Sequence, residues 1–404
     1  MTILIGACTS HDRGDDDCGS GKCDDAPFQF RKEPGAIVLA GGAGAPMFAS
    51  DPAVYRDDEG YHLFHTNIFC KKDGAFYFSH DPANPDECPI AGEVVGTLAY
   101  AFSADRGLTW TYRETPLVLP DPEAFDGLLL ETASVSRIGD KLVLVYSGQG
   151  LRDGQPFPQR YQIGLATLDL GGATVREALL VQSKSFVKRK EPLLPYDLRE
   201  GRFDNNVQEP SVVIRDGVIE LFYIGLGLKF PEELLSFPGQ AITAVGLGKA
   251  TLDENLAVVS RSETPILGGA GGSVPRTQVP NITEVHYFDN RYHVFSTITP
   301  EDEGDYHEDE KINYFTSPDL VDWSDGAVLL ERNEASGAFD SWGVVAPTVA
   351  VEQDSLVMFY WAVEKRNNPC LPIPAGGRFG IDEDVGPSAC IYSGIGRAVA
   401  PRYE

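Results

Sequence analysis

Three acidic residues open related stretches of this chain, and their types and spacing suit them to proton transfer. Asp51 lies in Ser50-Asp51-Pro52 and Glu209 in Gln208-Glu209-Pro210, each one residue before a proline that starts a β-branched, apolar run. Glu131 opens a third run, Glu131-Thr132-Ala133-Ser134-Val135, in which Thr132 takes the column held by Asp51 and Glu209. Carboxyl groups held close together raise one another's pKa. The more buried one keeps its proton while the other ionises, so one site gains both a general acid and a general base. Asp-Pro and Glu-Pro are also ordinary strand-opening turns, so the chemical reading depends on what positions them.

What positions them is a repeated hairpin. Residues 203–225 read as a strand, a turn at Asp216-Gly217 and a second strand; an Asp-Gly pair between apolar runs supplies the positive φ that a tight hairpin turn requires. Four other stretches match it. They open at Ser50, Glu131, Asn281 and Ala346, and turn at Asp58-Glu59-Gly60, Gly139-Asp140, Asp289-Asn290 and Gln353-Asp354. Each hairpin is followed, after a long polar loop, by a third strand, beginning near Gly96, Tyr161, Ala244, Lys311 and Cys390. Phe125-Asp126, Phe203-Asp204 and Phe339-Asp340 precede three of the hairpins. Ser103-Ala104-Asp105-Arg106-Gly107-Leu108-Thr109-Trp110 and Ser317-Pro318-Asp319-Leu320-Val321-Asp322-Trp323 are polar turns, each closed by a Trp placed to pack between strands.

Five units of four strands, with a period of about 70 residues, predict an all-β protein, a five-bladed β-propeller of four-stranded antiparallel blades. Radial repetition protects sheet edges that a lone four-stranded sheet would expose. The long loops, residues 67–95, 149–160, 226–240, 299–310 and 364–389, all follow the second strand of a unit. In a propeller that side is also where the innermost strand begins, so loops and acidic residues surround one mouth on the axis. Trp342, Tyr306 and Phe230 lie on or near those loops and could stack on a sugar face, although each taken singly reads as packing. His62, His65, His286 and His293 lie in or beside strands and read as hydrogen-bonded core residues rather than metal ligands.

From about Gly35 onward, Ser50-Asp51-Pro52, Gln208-Glu209-Pro210, the five hairpins and the Ser317–Trp323 turn resemble the five-bladed propeller glycosidases, above all glycoside hydrolase family 43, with family 32 a relative. That resemblance implies cleavage of glycosidic bonds by an inverting mechanism, with Asp51 as general base and Glu209 as general acid. The family's third group, an Asp on the second blade that orients the acid, has Thr132 at its place, with Glu131 and Asp126 as possible substitutes. Glycoside hydrolysis needs one carboxyl to protonate the leaving oxygen and another to activate water or attack the anomeric carbon. Two alternatives stand beside this reading. One is a carbohydrate-binding propeller without catalysis. The other is a sialidase, because residues 103–110 fit an Asp-box; a single full box, five units and no evident arginine triad count against it.

Composition narrows the partners. The formal charge of -27 repels phosphate backbones and anionic membrane surfaces, which argues against nucleic acid. No apolar run reaches the roughly 18 residues of a membrane-spanning helix. Ile5-Gly6-Ala7-Cys8 resembles a lipobox remnant, with Cys8 the lipidated residue and Met1 already inside a signal peptide. Residues 1–34 read as an acidic, Gly-rich tether and residues 35–404 as the propeller domain. With Cys8 set aside, six cysteines fall into local pairs, Cys18/Cys23, Cys70/Cys88 and Cys370/Cys390, which suits disulfides and an extracytoplasmic location; a Cys70–Cys370 link is the alternative. No zinc-type spacing occurs, and neither cofactor nor metal is expected. The expected partner is a carbohydrate substrate, bound by a monomer.

Overall fold

The computed structural model describes residues 27–34, 49–72, 75–78, 93–150, 160–228, 242–270, 280–298, 309–335, 338–366 and 390–402. Apart from one short helical turn at Glu177–Val181, their regular structure is β. The strands pair antiparallel into five four-stranded units, each starting with an expected hairpin; Ala75–Phe78 pairs in addition with the first unit and Leu267–Ala270 with the third. The first is Ser50–Arg56, Tyr61–Lys72, Glu93–Ser103 and Thr111–Tyr112. The second is Leu129–Ile138, Lys141–Gln149, Gln162–Asp169 and Val187–Lys188. The third runs Asn206–Arg215, Val218–Leu228, Ile242–Leu252 and Val258–Arg261. The fourth runs Thr283–Phe288, Arg291–Ile298, Lys311–Ser317 and Ala327–Leu330. Gly343–Val351, Ser355–Arg366, Cys390–Pro401 and the early strand Arg31–Lys32 make the fifth.

The opening strand of each unit packs against the opening strand of the next, and the fifth packs against the first, so the units close into a ring, as in a β-propeller. Apolar clusters fill the wedges. Phe64, Leu98 and Tyr100 of the first unit meet Leu130, Leu144 and Tyr146 of the second, while Leu63 and Ala101 on the other face meet Val357 and Phe359 of the fifth. At Asp289-Asn290 both turn residues are left-handed, as a two-residue hairpin with right-handed strand twist demands.

Two devices tie the strands of a blade together. In the second, third and fifth units, Phe125, Phe203 and Phe339 lie over Tyr146, Tyr223 and Tyr360, with ring centroids 6.3, 6.1 and 6.4 Å apart. The neighbouring Asp126, Asp204 and Asp340 are buried, accept from those tyrosine hydroxyls, and pair with Lys188, Arg261 and Lys32 of the outermost strands. Glycine is obligatory opposite each tyrosine: a Cβ on Gly164, Gly248 or Gly396 would lie within 2.4 Å of the ring. In the first and fourth units the tyrosine sits on the third strand and binds a histidine instead, His62 with Tyr100 at 2.7 Å and His293 with Tyr314 at 2.6 Å. His65 bonds the Thr66 carbonyl and His286 bonds Glu284, so the four histidines are hydrogen-bonded within the fold, as expected. Trp110 packs edge-on to Phe359 of the fifth unit, and Trp323 donates to the Ile266 carbonyl beside the third, so both Trp turns clasp neighbouring blades.

Two expected boundaries move. Residues 27–34, read as tether, belong to the fold. Arg31–Lys32 pairs with Ala398 and Val399, Phe28 packs edge-on to Tyr314, and Lys32 reaches the buried Asp340. Two apolar rings in this otherwise polar segment suffice to seat it. Residues 67–72 and 75–78, read as loop, extend the first unit as paired strand because the backbone ladder continues past the apolar pattern. Strands also take in 226–228 and 364–366. The cysteine pairs, Cys8, Tyr306 and Phe230 lie outside the described residues, except for the backbone of Cys70 and Cys390.

Candidate active site

The acidic residues are displayed by a backbone irregularity that recurs at the head of the opening strands. Ladder pairing skips between Ser50 and Ala53, Glu131 and Ala133, Gln208 and Ser211, and Val345 and Thr348. At each skip one residue is left-handed: Asp51 (φ 46°), Thr132 (φ 46°), Glu209 (φ 55°) and Ala346 (φ 48°). Such bulges bend a strand and re-aim its side chains, and non-glycine residues in this conformation carry strain of order 1–3 kcal/mol each. The strain is met locally. At three of the four, the backbone N–H of the left-handed residue donates to a hydroxyl on the second strand of the preceding unit. Thr132 donates to Thr66 Oγ1 at 3.1 Å, Glu209 to Ser147 Oγ at 2.9 Å and Ala346 to Thr297 Oγ1 at 2.9 Å.

These heads bring Asp51, Glu131 and Glu209 into mutual electrostatic range. Asp51 is buried and accepts a 2.8 Å hydrogen bond from Ser50 Oγ. Burial pushes the Glu131 carboxyl up to about 8, the Asp51 charge adds to the rise, and a hydrogen bond from Tyr161 works against it. Glu209 is held well above the usual carboxylate range, first by burial and then by the charges of Asp51 and Glu131, while the Thr132 hydroxyl, within hydrogen-bonding reach of its carboxyl, works against this. Glu209 Oε2 is buried without a well-aligned partner. A buried polar atom in that condition is costly unless something else completes it. The arrangement can keep two carboxyl groups protonated beside a third that carries the charge, the division of labour general acid–base chemistry requires.

Asp126 does not join this cluster. Its two oxygens are occupied by Lys188, at 2.9 and 2.7 Å, and by the Tyr146 hydroxyl at 2.7 Å, so it is part of the blade staple. Trp342 is buried with Val345, Ala346 and Trp361 at the head of the fifth unit. Thr66, Ser147 and Tyr161 were not singled out by sequence. Thr66 and Ser147 stand opposite Ser50 and Glu131 in their hairpins, so a column of hydroxyls in the aligned repeats carried the signal. Among the described residues no group of three or more His, Cys, Asp or Glu is arranged to hold a metal ion. Further along the same strands, residues of all five units line an axial cavity of about 240 Å³. There Glu284 accepts from Thr348 Oγ1, the Val349 N–H and His286 and links the fourth unit to the fifth.

No family model and no curated protein matches the chain. Solved structures do match in fold. A structure described as a glycoside hydrolase aligns with a TM-score of 0.57 and 14% identity over 91% of this chain and 92% of its own. An N-acetylgalactosamine deacetylase from F. plautii, in complex with blood group B trisaccharide, aligns at 0.56 and 12% over 92% and 95%. The GH43_1 enzyme from Xanthomonas citri, complexed with xylotriose, aligns at 0.51 and 15% over 92% and 89%. The fold is therefore that of the family 43-like β-propellers. At these identities the likeness concerns the fold, and different reactions are named on it, so the reaction must be argued from the site.

Proposed function

We propose that this protein is a glycoside hydrolase acting on oligo- or polysaccharides by an inverting mechanism. Asp51 is the general base that activates water and Glu209 the general acid that protonates the leaving oxygen. Glu131 is the third carboxyl group, whose proton and charge set the acidity of Glu209. The observation that carries this reading is the cluster itself: three carboxyl groups gather at the bulged strand heads, and burial, then the Asp51 charge, raises both glutamates, which suits a division between charged and protonated roles. The unsatisfied Glu209 Oε2 suits a carboxyl that meets a glycosidic oxygen.

Glu209→Gln keeps shape but removes the donated proton. Activity on substrates with poor leaving groups should fall about 10²–10⁴-fold and be largely spared for activated aryl glycosides. Asp51→Asn should lose activity on both kinds of substrate. Proton NMR of the first-formed sugar should show the inverted anomer; a retained anomer replaces the base assignment with a nucleophile. A second reading, carbohydrate binding without catalysis, is favoured by one observation: the left-handed position of the second unit holds Thr132, which cannot ionise. A parent protein that binds oligosaccharides and cleaves none in a broad glycan screen decides for that reading.

We further propose an extracytoplasmic, monomeric protein, lipidated at Cys8 and cross-linked at Cys18/Cys23, Cys70/Cys88 and Cys370/Cys390. Intact mass from the native host and peptide mapping without reductant test these points. An unmodified Cys8 removes the anchor, and free thiols at all six remaining cysteines remove the cross-links.

A further inference from the structure

Left-handed backbone at a residue with a side chain is held, not preferred, and the structure shows what holds it. The Ser147 hydroxyl is fully buried on the second strand of the second unit, directly across the ladder from Glu131, and accepts the N–H of Glu209 from the next unit. One serine thus sits between the strand that presents Glu131 and the residue that presents the buried acid. On the neighbouring bulge, Thr132 is itself fixed by Thr66 through the same kind of bond, and its hydroxyl is close enough to the Glu209 carboxyl to act on it electrostatically. The fourth and fifth units contain a built-in control. Thr297, equally buried, makes the same clamp to the N–H of Ala346, where there is no carboxyl to aim.

We propose that Ser147 and Thr132 form a hydroxyl cradle that positions Glu209, Ser147 through the backbone and Thr132 through the carboxyl. Ser147 fixes the rotation of the 208–209 peptide, and with it the direction in which the Cα–Cβ bond leaves the bulge. Thr132 then limits the swing of the carboxyl and favours its charged form by donating to it. Both are positioning residues: neither needs to touch the reacting atoms. The rate consequences rest on the glycosidase reading given above, whereas the effect on Glu209 itself does not.

The test compares Ser147→Ala, Thr132→Val and the control Thr297→Val in the full chain. Two readouts are followed: titration of the Glu209 carboxyl by ¹³C NMR with carboxyl-labelled glutamate, its resonance assigned by its loss in Glu209→Gln, and steady-state rates on poor and activated leaving groups. Thr132→Val should move the Glu209 titration to higher pH, and restoring the hydroxyl with Thr132→Ser should return it. Ser147→Ala should lower kcat on a poor leaving group about 10- to 100-fold with KM little changed, the scale of loss for a misplaced catalytic group, and spare an activated substrate. Thr297→Val should lower the melting temperature about as much as Ser147→Ala while leaving both the titration and the rates unchanged. If Ser147→Ala and Thr132→Val behave like Thr297→Val, losing stability alone, the cradle is refuted and the glycosidase reading stands. If the parent cleaves nothing but Thr132→Val still moves the Glu209 titration, the cradle stands and the glycosidase reading falls. Should Ser147→Ala fail to fold, Ser147→Cys, which weakens the acceptor, and Ser147→Thr, which keeps it, decide by the same rates: loss in the first and retention in the second support the clamp, and equal rates refute it.

Discussion

Glu131→Gln should make the protein more stable in alkali and leave its stability in acid unchanged. In the native chain the Glu131 carboxyl is raised from 4.5 to about 8, chiefly by burial and then by the Asp51 charge. In the unfolded chain it ionises near 4.5. Between those values the folded state holds a proton that the unfolded state has released, so folding stability from this group is fully present below about 4.5 and is lost as pH rises towards 8. At ~1.4 kcal/mol per unit, the full shift corresponds to a ceiling of ~5 kcal/mol. Asp51 and Glu209 share the interaction, so a single substitution should recover about half, ~2–3 kcal/mol. Glutamine keeps the volume and the carbonyl to which Tyr161 donates, so no cavity or lost hydrogen bond offsets the gain.

The assay is urea unfolding of parent and variant at pH 5 and pH 8.5, with equal slopes required before midpoints are compared. The expected result is near-coincidence at pH 5 and a higher midpoint for the variant at pH 8.5. A variant less stable than the parent at pH 8.5, or a gain equal at both pH values, would refute the reasoning, because either result means that Glu131 is not a carboxyl forced to stay neutral. The same substitution removes one of the charges that raise Glu209, so the basic limb of the activity profile should move to lower pH.

The fold yields further expectations. Asp204→Asn leaves Arg202 and Arg261 facing a neutral side chain in the third unit and should cost about 3–5 kcal/mol, read by calorimetry; an unchanged melting temperature would show that the staple is dispensable. Gly396→Ala would place a methyl 2.3 Å from Tyr360 Cζ and should destabilise by about 1–3 kcal/mol, and a stabilised variant would contradict the packing. Removing residues 1–26 should leave the melting temperature nearly unchanged. Removing residues 1–34 should lower it sharply, because the outermost strand of the fifth unit, the Phe28 ring and the Lys32 partner of buried Asp340 all go together. Equal melting temperatures for the two truncations would show that the early strand adds nothing.

The repeat was legible because its signals are local. Asp216-Gly217 and Asp289-Asn290 announce left-handed turns, and the alternating runs beside them announce strands that bury one face. Asp51 and Glu209 were legible for a related reason: each stands at a fixed distance before its turn, so a column exists in which to notice them. Asp126 was less legible, because it precedes its hairpin at a distance similar to those of Asp204 and Asp340 while its partner is hidden. Only the fold brings Lys188, 62 residues away, onto its carboxyl, and the same holds for Lys32 and Asp340 across 308 residues. Residues 27–34 misled because the local composition is polar, and their place is decided by an open strand edge at the far end of the chain.

The second unit shows where column reasoning stops. A strict register allows one residue per column, and Thr132 occupies the column of the acids. The bulge at Glu131 and Ala133 breaks that register, so two consecutive residues serve the mouth instead of one: Thr132 reaches Glu209 while Glu131 feels the Asp51 charge. The bulge itself has no residue-type signature, since the left-handed position is filled by Asp, Thr, Glu and Ala in different units. What three of the four share is a hydroxyl on the neighbouring blade. The capacity to carry a carboxyl at the axis is thus a property of the ring, and the choice of which units use it is a property of single residues.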